Sequence, residues 1–87
     1  MSWTVYILEC ADTTLYTGIT NDLDKRLASH DRGTGAKYTR GRGPHKVVYT
    51  EWHRTKGRAL KREAEIKSLN RTQKLELAAK NIQAVIN

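Results

Sequence analysis

The chain has little of what stabilises secreted proteins or anchors membrane proteins. Of its 87 residues only Cys10 is a cysteine, so no intramolecular disulfide can form, and a reducing cytoplasm is the expected compartment. No apolar run approaches the roughly 20 residues of a transmembrane helix. The first residues, Met1-Ser2-Trp3-Thr4, lack the basic start of a secretory signal. These absences predict a soluble cytoplasmic protein with no membrane role.

The sequence also lacks any sign of a second domain. A chain of this length buries only about 60–65% of the surface that its unfolded form exposes, so its core must be small. No shift in composition and no internal repeat divides it. We therefore predict one domain over residues 1–87.

Acidic residues are few, and the basic excess is unevenly distributed. The formal net charge is +7, yet the first 24 residues contain no lysine or arginine. From Lys25 to Lys46 seven basic residues stand against one acid, and from Arg54 to Lys74 eight stand against two. Such a field favours a polyanion, because each neutralised phosphate releases counterions. The charge favours nucleic acid as the partner; the alternative is a solvated basic surface that only maintains solubility.

Hydrophobic periodicity and capping residues predict three strands and three helices. The strands are expected at Trp3–Glu9, Leu15–Ile19 and Lys46–Trp52. The helices are expected to start at the capping residues Asn21, Thr55 and Asn70, and to extend to about His30, Leu69 and Ile82. The first two strands are close enough in sequence to form a hairpin. The predicted fold class is α+β, a small three-stranded antiparallel sheet flanked by helices.

One carboxylate occupies an unusual place in the second predicted helix, Thr55–Leu69. At 100° per residue the helix has an apolar arc formed by Ala59, Leu60, Ala64 and Ile66. Glu63 projects into the middle of that arc. An ionised carboxylate on a buried face costs free energy unless a positive group meets it. A divalent metal ion beside a bound phosphate is one candidate for that group, and a salt bridge to Arg26 is the alternative.

Four further polar residues are placed so that they could meet. Tyr6 and Tyr16 lie on neighbouring predicted strands, and they share a face if the hairpin pairs in register. Gly18 leaves open space beside Tyr16, where a backbone or a ligand could approach. Arg26 and His30 are four residues apart and share one face of the first helix. A single tyrosine on a strand is usually a packing residue. The prediction of a functional site therefore depends on all of these residues occurring together.

Together with Glu63, these residues occur in an order along the chain that resembles the motifs of the GIY-YIG nuclease superfamily. The motifs stand here as Thr4-Val5-Tyr6 and Tyr16-Thr17-Gly18, followed by Arg26, His30 and Glu63. The resemblance covers roughly residues 3–77, and the brevity of the chain resembles the small stand-alone bacterial branch. It also resembles the catalytic domain of structure-specific endonucleases and of excision-repair nucleases. Thr4 and Thr17 replace the Gly and Ile of the family name, at positions that supply no reacting group.

The resemblance implies hydrolysis of a DNA phosphodiester with one divalent cation, Mg²⁺ or Mn²⁺. It implies that Glu63 binds the metal and that Arg26 clamps the scissile phosphate. Tyr6 would accept the proton of the attacking water, Tyr16 would position water or phosphate, and His30 would donate to phosphate or relay the proton of Tyr6. A free tyrosine has a pKa near 10, so this role needs nearby cations that favour phenolate. Which of Tyr6, Tyr16 and His30 is the general base stays open.

Further residues are candidates for binding nucleic acid. By the same resemblance, contacts to the substrate backbone are expected from Lys37, Tyr38, Thr39, Arg40 and Lys74. Four of these lie in the basic, glycine-rich loop Arg32–His45, for which the alternative is a flexible segment with incidental charge. Trp3 and Trp52 are expected in the core rather than as platforms for base stacking.

Three functions are compatible with this sequence. The first is a metal-dependent endonuclease acting on structured, damaged or single-stranded DNA, with DNA repair among its possible pathways. The second is a non-catalytic nucleic-acid-binding module on a nuclease fold, which could also be directed at RNA. The third is a subunit whose specificity comes from a protein partner, since no additional domain is visible. A glutamate among apolar neighbours favours the enzyme, because a binding module has no need of it.

Overall fold

The computed structural model describes residues 2–33, 41 and 43–86, with residues 81–86 described by their backbone alone. Its elements are β1 (Trp3–Glu9), β2 (Leu15–Thr20), α1 (Leu23–Asp31), β3 (Lys46–His53), α2 (Lys56–Lys67) and α3 (Arg71–Ile86). The predicted α+β class is confirmed. Over the residues described, no helix combines the length and the apolar character that crossing a membrane requires.

The sheet is antiparallel throughout, with strand order β2-β1-β3. β1 is central, and four consecutive residues, Val5 to Leu8, are completely buried. A strand whose successive side chains point to opposite faces is buried in this way only when both faces are covered. Both faces of the sheet are therefore covered, and the side chains of β1 alternate between the two.

One face carries the apolar core, and the other carries two of the three tyrosines that the structure describes. The core contains Val5 and Ile7 of β1, Tyr49 of β3, and Ala59, Ile66 and Ala78 from α2 and α3. The pairing of the strands places another set on the opposite face: Tyr6, Leu8, Tyr16, Gly18, Thr50 and Trp52. α1 contributes His30 to this second face, where its ring contacts those of Tyr6 and Tyr16.

The helix caps follow the sequence closely, with one correction. Thr55 caps α2 by accepting from the Arg58 amide. Asn70 and Gln73 form the predicted reciprocal pair at the start of α3, each accepting from the other's backbone N–H. The cap of α1 is Asp22 rather than Asn21, because its carboxylate accepts from the Lys25 amide. α2 also ends earlier than predicted, at Lys67.

Several side chains predicted to be buried lie in solvent. On α2 only Ala59 and Ile66 are buried, whereas Ala64 is exposed and Leu60 is 45% exposed. α2 contacts the sheet through a stripe spaced i, i+4 and i+7, which is narrower than the full apolar arc. Trp52 is 62% exposed, against the prediction that it lies in the core. It stands on an edge strand, on the face of the sheet opposite the apolar core.

Candidate active site

Two tyrosines meet on the face of the sheet opposite the apolar core. β1 and β2 pair with Tyr6 opposite Gly18 and with Leu8 opposite Tyr16. Because residues two apart on a strand share a face, the two phenol rings lie on the same side of the hairpin. Their centroids are 6.3 Å apart, with the rings tilted by 49°. The antiparallel register thus brings the tyrosines of the two motifs together.

Gly18 is required by the closeness of these rings. A Cβ atom at this position would lie 2.7 Å from the Tyr6 hydroxyl oxygen and 3.0 Å from Cε2 of Tyr16. Real Cβ atoms essentially never approach other atoms closer than 3.0 Å. The space beside Tyr16 that the sequence predicted to be open is therefore filled by the phenol of Tyr6.

α1 adds a histidine and an arginine to the tyrosines. The Tyr6 hydroxyl lies 2.9 Å from Nε2 of His30, and Nε of Arg26 donates to the same hydroxyl at 3.4 Å. The His30 ring also packs edge-on against Tyr16, at 5.3 Å between centroids. The i, i+4 spacing on α1 directs both side chains to the phenol. We refer to Tyr6, Tyr16, Arg26 and His30 as the tyrosine cluster.

The tyrosine cluster is buried on one side and open on the other. Tyr6 and His30 are essentially inaccessible, whereas Tyr16 and Arg26 are half-buried. A ligand in solution therefore meets the guanidinium and the second phenol first. The phenol–imidazole pair lies directly behind them.

Burial keeps both partners of the central hydrogen bond neutral. Desolvation raises the pKa of Tyr6 above its ordinary value, and the hydrogen bond from Arg26 lowers it by less. Burial, with further contributions from the charges of Arg26 and His45, lowers the pKa of His30 to about 4. At pH 7 the imidazole is unprotonated, and its tautomer with the proton on Nδ1 can accept from the phenol through Nε2. The role of Tyr6 as a base was expected to need nearby cations that favour its phenolate. In the protein alone these cations do not lower the pKa of Tyr6 below its ordinary value.

A second histidine, which the sequence did not indicate as part of the site, stands behind the first. The ring centroid of His45 is 5.8 Å from that of His30, and its Nδ1 lies 3.2 Å from a carboxylate oxygen of Asp31. Its side chain is only 2% exposed. His45 directly precedes β3 and lies outside the helices and strands, so no periodic spacing in the sequence could have revealed it.

Glu63 occupies the α2 stripe between Ala59 and Ile66, and its side chain is 18% exposed. Among the described residues its ion pair is with Nζ of Lys67, at 3.4 Å, and not with Arg26. The simple salt bridge between the two helices that the sequence left open is therefore not formed there. The negative charge of Glu63 contributes to the raised pKa of Tyr6, so the carboxylate acts electrostatically on the tyrosine cluster.

The residues around Glu63 suit one kind of metal ion. Within the part of the chain that the structure describes, no three His, Cys, Asp or Glu side chains gather as a metal site. Mg²⁺ does not require such a group, because it retains several waters and binds through one or two carboxylates together with substrate phosphates. Glu63, half-buried and acidic, fits an ion of this type.

A second polar cluster, which was not predicted from the sequence, lies on the core face. Glu51 of β3 accepts from Tyr49 and from Nε of Arg62 on α2, and a carboxylate oxygen lies 2.5 Å from Nε2 of His53. Burial raises the pKa of Glu51, but these hydrogen bonds outweigh it and hold the pKa below its usual range. Period-two spacing of Tyr49, Glu51 and His53 was the available signal. The cluster ties α2 to β3 at the residue next to Glu63.

Of the remaining predicted binding residues, Lys74 lies in the described part of the chain. Lys74 lines an open pocket of about 230 Å³ with Thr14, Leu15 and Arg71. The other predicted contacts, Lys37, Tyr38, Thr39 and Arg40, lie outside the described residues. Their part in binding stays a prediction.

Comparison with known proteins identifies relatives over most of the chain. The model of the GIY-YIG catalytic domain family matches residues 2–76. A UPF0213 protein of Clostridium perfringens is 59% identical over 73 residues, which cover 84% of this chain and 78% of that protein. A UPF0213 protein of Natronomonas pharaonis is 56% identical over 75 residues, which cover 86% and 88% of the two chains. The names of these relatives specify no activity or substrate.

Two structures determined by solution NMR share this fold. The UPF0213 protein of Bacillus halodurans superposes with a TM-score of 0.59 at 48% identity, covering 91% of this chain and 84% of that one. A protein of E. faecalis superposes with a TM-score of 0.63 at 35% identity, covering 94% and 88%. The resemblance stated from the sequence motifs is confirmed at the level of family and fold.

Proposed function

The chain belongs to the GIY-YIG catalytic domain family, and from this premise we propose that it is a metal-dependent endonuclease that hydrolyses phosphodiester bonds in DNA. Proteins with this domain are generally endonucleases that use divalent metals. The observation that carries the proposal is the hydrogen-bonded group of Tyr6, His30 and Arg26, on which the charge of Glu63 acts. A buried phenol with a neutral proton acceptor and a cation at the same oxygen is suited to proton transfer beside a phosphate.

Arg26 binds the scissile phosphate in this proposal. Its guanidinium is half-buried and its Nε lies 3.4 Å from the Tyr6 hydroxyl, so a phosphate held by this group is adjacent to the phenol. The planar fork of arginine matches two phosphate oxygens. Tyr16, also half-buried, reaches the same opening and positions the phosphate or the attacking water.

Tyr6 and His30 move the proton. Because the pKa of Tyr6 is raised, the phenol stays protonated and cannot act as a pre-formed phenolate. We propose that Tyr6 takes a proton from the attacking water while it passes its own proton to Nε2 of His30. The resulting hydroxide attacks phosphorus as the bond from phosphorus to the leaving oxygen breaks, and the leaving oxygen takes a proton from solvent. Tyr6 remains neutral and His30 becomes the imidazolium. A phosphate bound to Arg26 also offsets part of the positive charge that lowers the pKa of His30.

Glu63 holds the divalent ion in this proposal, with Mg²⁺ or Mn²⁺ as the candidates. When bound, such an ion supplies positive charge that stabilises the leaving oxygen and the phosphate. Lys67, which pairs with Glu63 at 3.4 Å, is 53% exposed and can swing into solvent when the carboxylate takes another partner. Glu65, two residues away, points to solvent and pairs with Arg62, so it has a different role.

We propose the substrate and setting as follows. The substrate is structured, damaged or single-stranded DNA, contacted outside the cluster by Lys37, Tyr38, Thr39, Arg40 and Lys74. DNA is preferred to RNA, and a protein partner can add specificity. The compartment is the cytoplasm, where Cys10, a buried free thiol, stays reduced.

One observation favours the second candidate function, a nucleic-acid-binding module without activity. The charge of Glu63 is already met by Lys67, so the carboxylate has a partner without any metal. In that case binding depends on salt concentration but is indifferent to chelators and to substitution of Glu63.

The deciding experiment compares Glu63→Ala with Glu65→Ala. Labelled single-stranded, duplex, flap, four-way-junction and RNA-hairpin substrates are incubated with each protein and Mg²⁺ or Mn²⁺. We expect cleavage by the wild type and by Glu65→Ala, and none by Glu63→Ala, although that variant still binds. Equal cleavage by both variants would contradict the assignment of Glu63. Salt-sensitive binding without cleavage by any protein would support the binding module.

A further inference from the structure

Trp52 is the large hydrophobic side chain that the described structure exposes most. It is 62% accessible, whereas the other tryptophan, Trp3, is half-buried and packs against the core. Lys56 also covers Trp3, with its Nζ 5.2 Å from the ring centroid. A ligand that covered this indole would recover free energy through the burial of its apolar surface.

The strand register places this indole beside the tyrosine cluster. β1 and β3 pair with Tyr6 opposite Thr50 and with Thr4 opposite Trp52. Trp52 is therefore the diagonal neighbour of Tyr6 on the same face, a relationship that corresponds to about 7–8 Å between backbones. One strand of B-form DNA rises about 3.4 Å per nucleotide. A phosphate held by Arg26, whose Nε lies 3.4 Å from the buried Tyr6 hydroxyl, and a base at Trp52 thus lie within about two nucleotides of each other.

The charges around this face suit a nucleic-acid strand. Arg26 stands on the Tyr6 side, and exposed Arg54 follows Trp52 two residues along the chain. Aromatic side chains combined with basic residues are the usual surface for single strands, in which bases stack on the rings and phosphates meet the cations. An apolar protein partner does not fit this surface, because the indole is surrounded by charged and polar side chains.

We propose that Trp52 stacks on an unpaired DNA base adjacent to the scissile phosphate. This inference rests on the proposed function and narrows its substrate. A base within an intact duplex already has neighbours on both of its faces, so it cannot offer one to the indole without unstacking. The preferred substrate is therefore single-stranded at the cleavage position, as in a single strand, a flap or a frayed junction.

Fluorescence can test this stacking without any cleavage. In Trp3→Phe the only tryptophan is Trp52, and in Trp52→Phe the only tryptophan is Trp3. Each protein is titrated in EDTA with a 12-nucleotide oligothymidylate and with a blunt duplex. We expect the single strand to quench Trp3→Phe in a saturable way, the duplex to quench it far less, and neither to quench Trp52→Phe.

Binding by Trp52→Leu supplies the second measurement. Loss of one base–aromatic stack should weaken oligothymidylate affinity by about 5- to 150-fold, whereas Trp52→Phe should retain most of it. Blunt-duplex affinity should not change. Because Trp52 is exposed, both variants should keep the wild-type melting temperature.

The outcomes separate this inference from the proposed activity. If the single strand is bound and cleaved but Trp52 fluorescence and Trp52→Leu affinity do not change, the stacking is wrong and the endonuclease stands. If Trp52 is quenched by the single strand but Glu63→Ala cleaves like the wild type, the stacking stands and the catalytic assignment fails. An oligothymidylate that does not bind overturns the stacking.

Discussion

The hydroxyl oxygen of Tyr6 lies 2.9 Å from Nε2 of His30, although 24 residues separate them in the chain. Both residues are buried, and Arg26 donates to the same oxygen from the side that faces solvent. A buried hydroxyl requires a partner, so this contact stabilises the fold as well as offering a path for a proton. Substitutions at these few atoms are therefore expected to change both the stability of the fold and catalysis.

His30 should make the protein labile in mild acid. Its pKa is lowered to about 4 in the folded protein, against about 6.5 in an unfolded chain. Between these values the unfolded chain binds a proton that the folded protein does not, so the free energy of unfolding falls as the pH decreases from 6.5 to 4. The full shift corresponds to at most about 3 kcal/mol. Urea unfolding at a series of pH values measures this loss.

His30→Gln and His53→Gln make the matched comparison. The first removes the buried imidazole and should flatten the pH dependence between 6.5 and 4. The second removes a half-buried imidazole on the other face of the sheet and should leave most of that dependence in place. An unchanged slope in His30→Gln would mean that another group causes the acid lability.

Gly18→Ala should disturb both tyrosines. The new methyl would lie 2.7 Å from the Tyr6 hydroxyl oxygen and 3.0 Å from the Tyr16 ring, and neither contact can be relieved without moving a ring. Overpacking of this kind costs about 1–3 kcal/mol. We expect a lower melting temperature, together with displaced aromatic resonances of Tyr6 and Tyr16 in NMR spectra.

Gly57→Ala is the control for that substitution. Gly57 is in the first turn of α2, and no atom lies within 4 Å of the position of its Cβ. Alanine should be neutral there, or stabilising by a few tenths of a kcal/mol, because it favours helix. Equal melting temperatures for the two variants would show that the rings tolerate a side chain at Gly18.

Glu51→Gln should loosen the attachment of α2 to β3. The carboxylate accepts from Tyr49 and Arg62 and contacts His53, all of them at least partly buried. We expect a loss of about 1–3 kcal/mol at pH 7, measured by urea unfolding. Since the folded-state pKa of Glu51 is lowered, this stabilisation is present above pH 4.5 and is lost as the pH falls through the folded-state pKa.

Glu65→Gln is the control, because it tests whether any acidic residue that pairs with Arg62 stabilises the fold as much as Glu51 does. Glu65 is exposed and contacts Arg62 at 3.4 Å, so its removal should cost less than about 1 kcal/mol. If Glu65→Gln lowered the free energy of unfolding as much as Glu51→Gln does, the exposed ion pair between Arg62 and Glu65 would be as important as the partly buried one, which would contradict this assignment.

The fold was predictable because local signals agreed with the tertiary structure. Alternation from Trp3 to Glu9 and the caps at Thr55 and Asn70 are backbone preferences that the structure keeps. The period-two rule also placed Tyr6 and Tyr16 on one face once the hairpin was assumed. These elements depend on neighbours within a few residues, which a single sequence displays.

Burial and long-range partners were harder to foresee. Trp52 and Leu60 are apolar and were expected inside, yet both are exposed because so small a sheet cannot be covered by helices at every position. The approach of His45, just before β3, to His30 on α1 joins two parts of the chain that no local spacing relates. The pKa direction of Tyr6 depends on whether burial outweighs a neighbouring cation, which requires the packed structure.

The role of Tyr6 in proton transfer can be tested by removing one oxygen atom from each face of the sheet. Tyr6→Phe deletes the hydroxyl that joins His30 and Arg26, and Tyr49→Phe deletes a hydroxyl bound to Glu51 on the core face. Single-turnover cleavage of a labelled flap substrate with Mg²⁺ is measured for both, after circular dichroism has shown that both fold. We expect Tyr6→Phe to lose about 10²- to 10⁴-fold in rate and Tyr49→Phe to stay close to wild type. Equal rates for the two variants would contradict a role for Tyr6 in proton transfer, and with it the proposed mechanism.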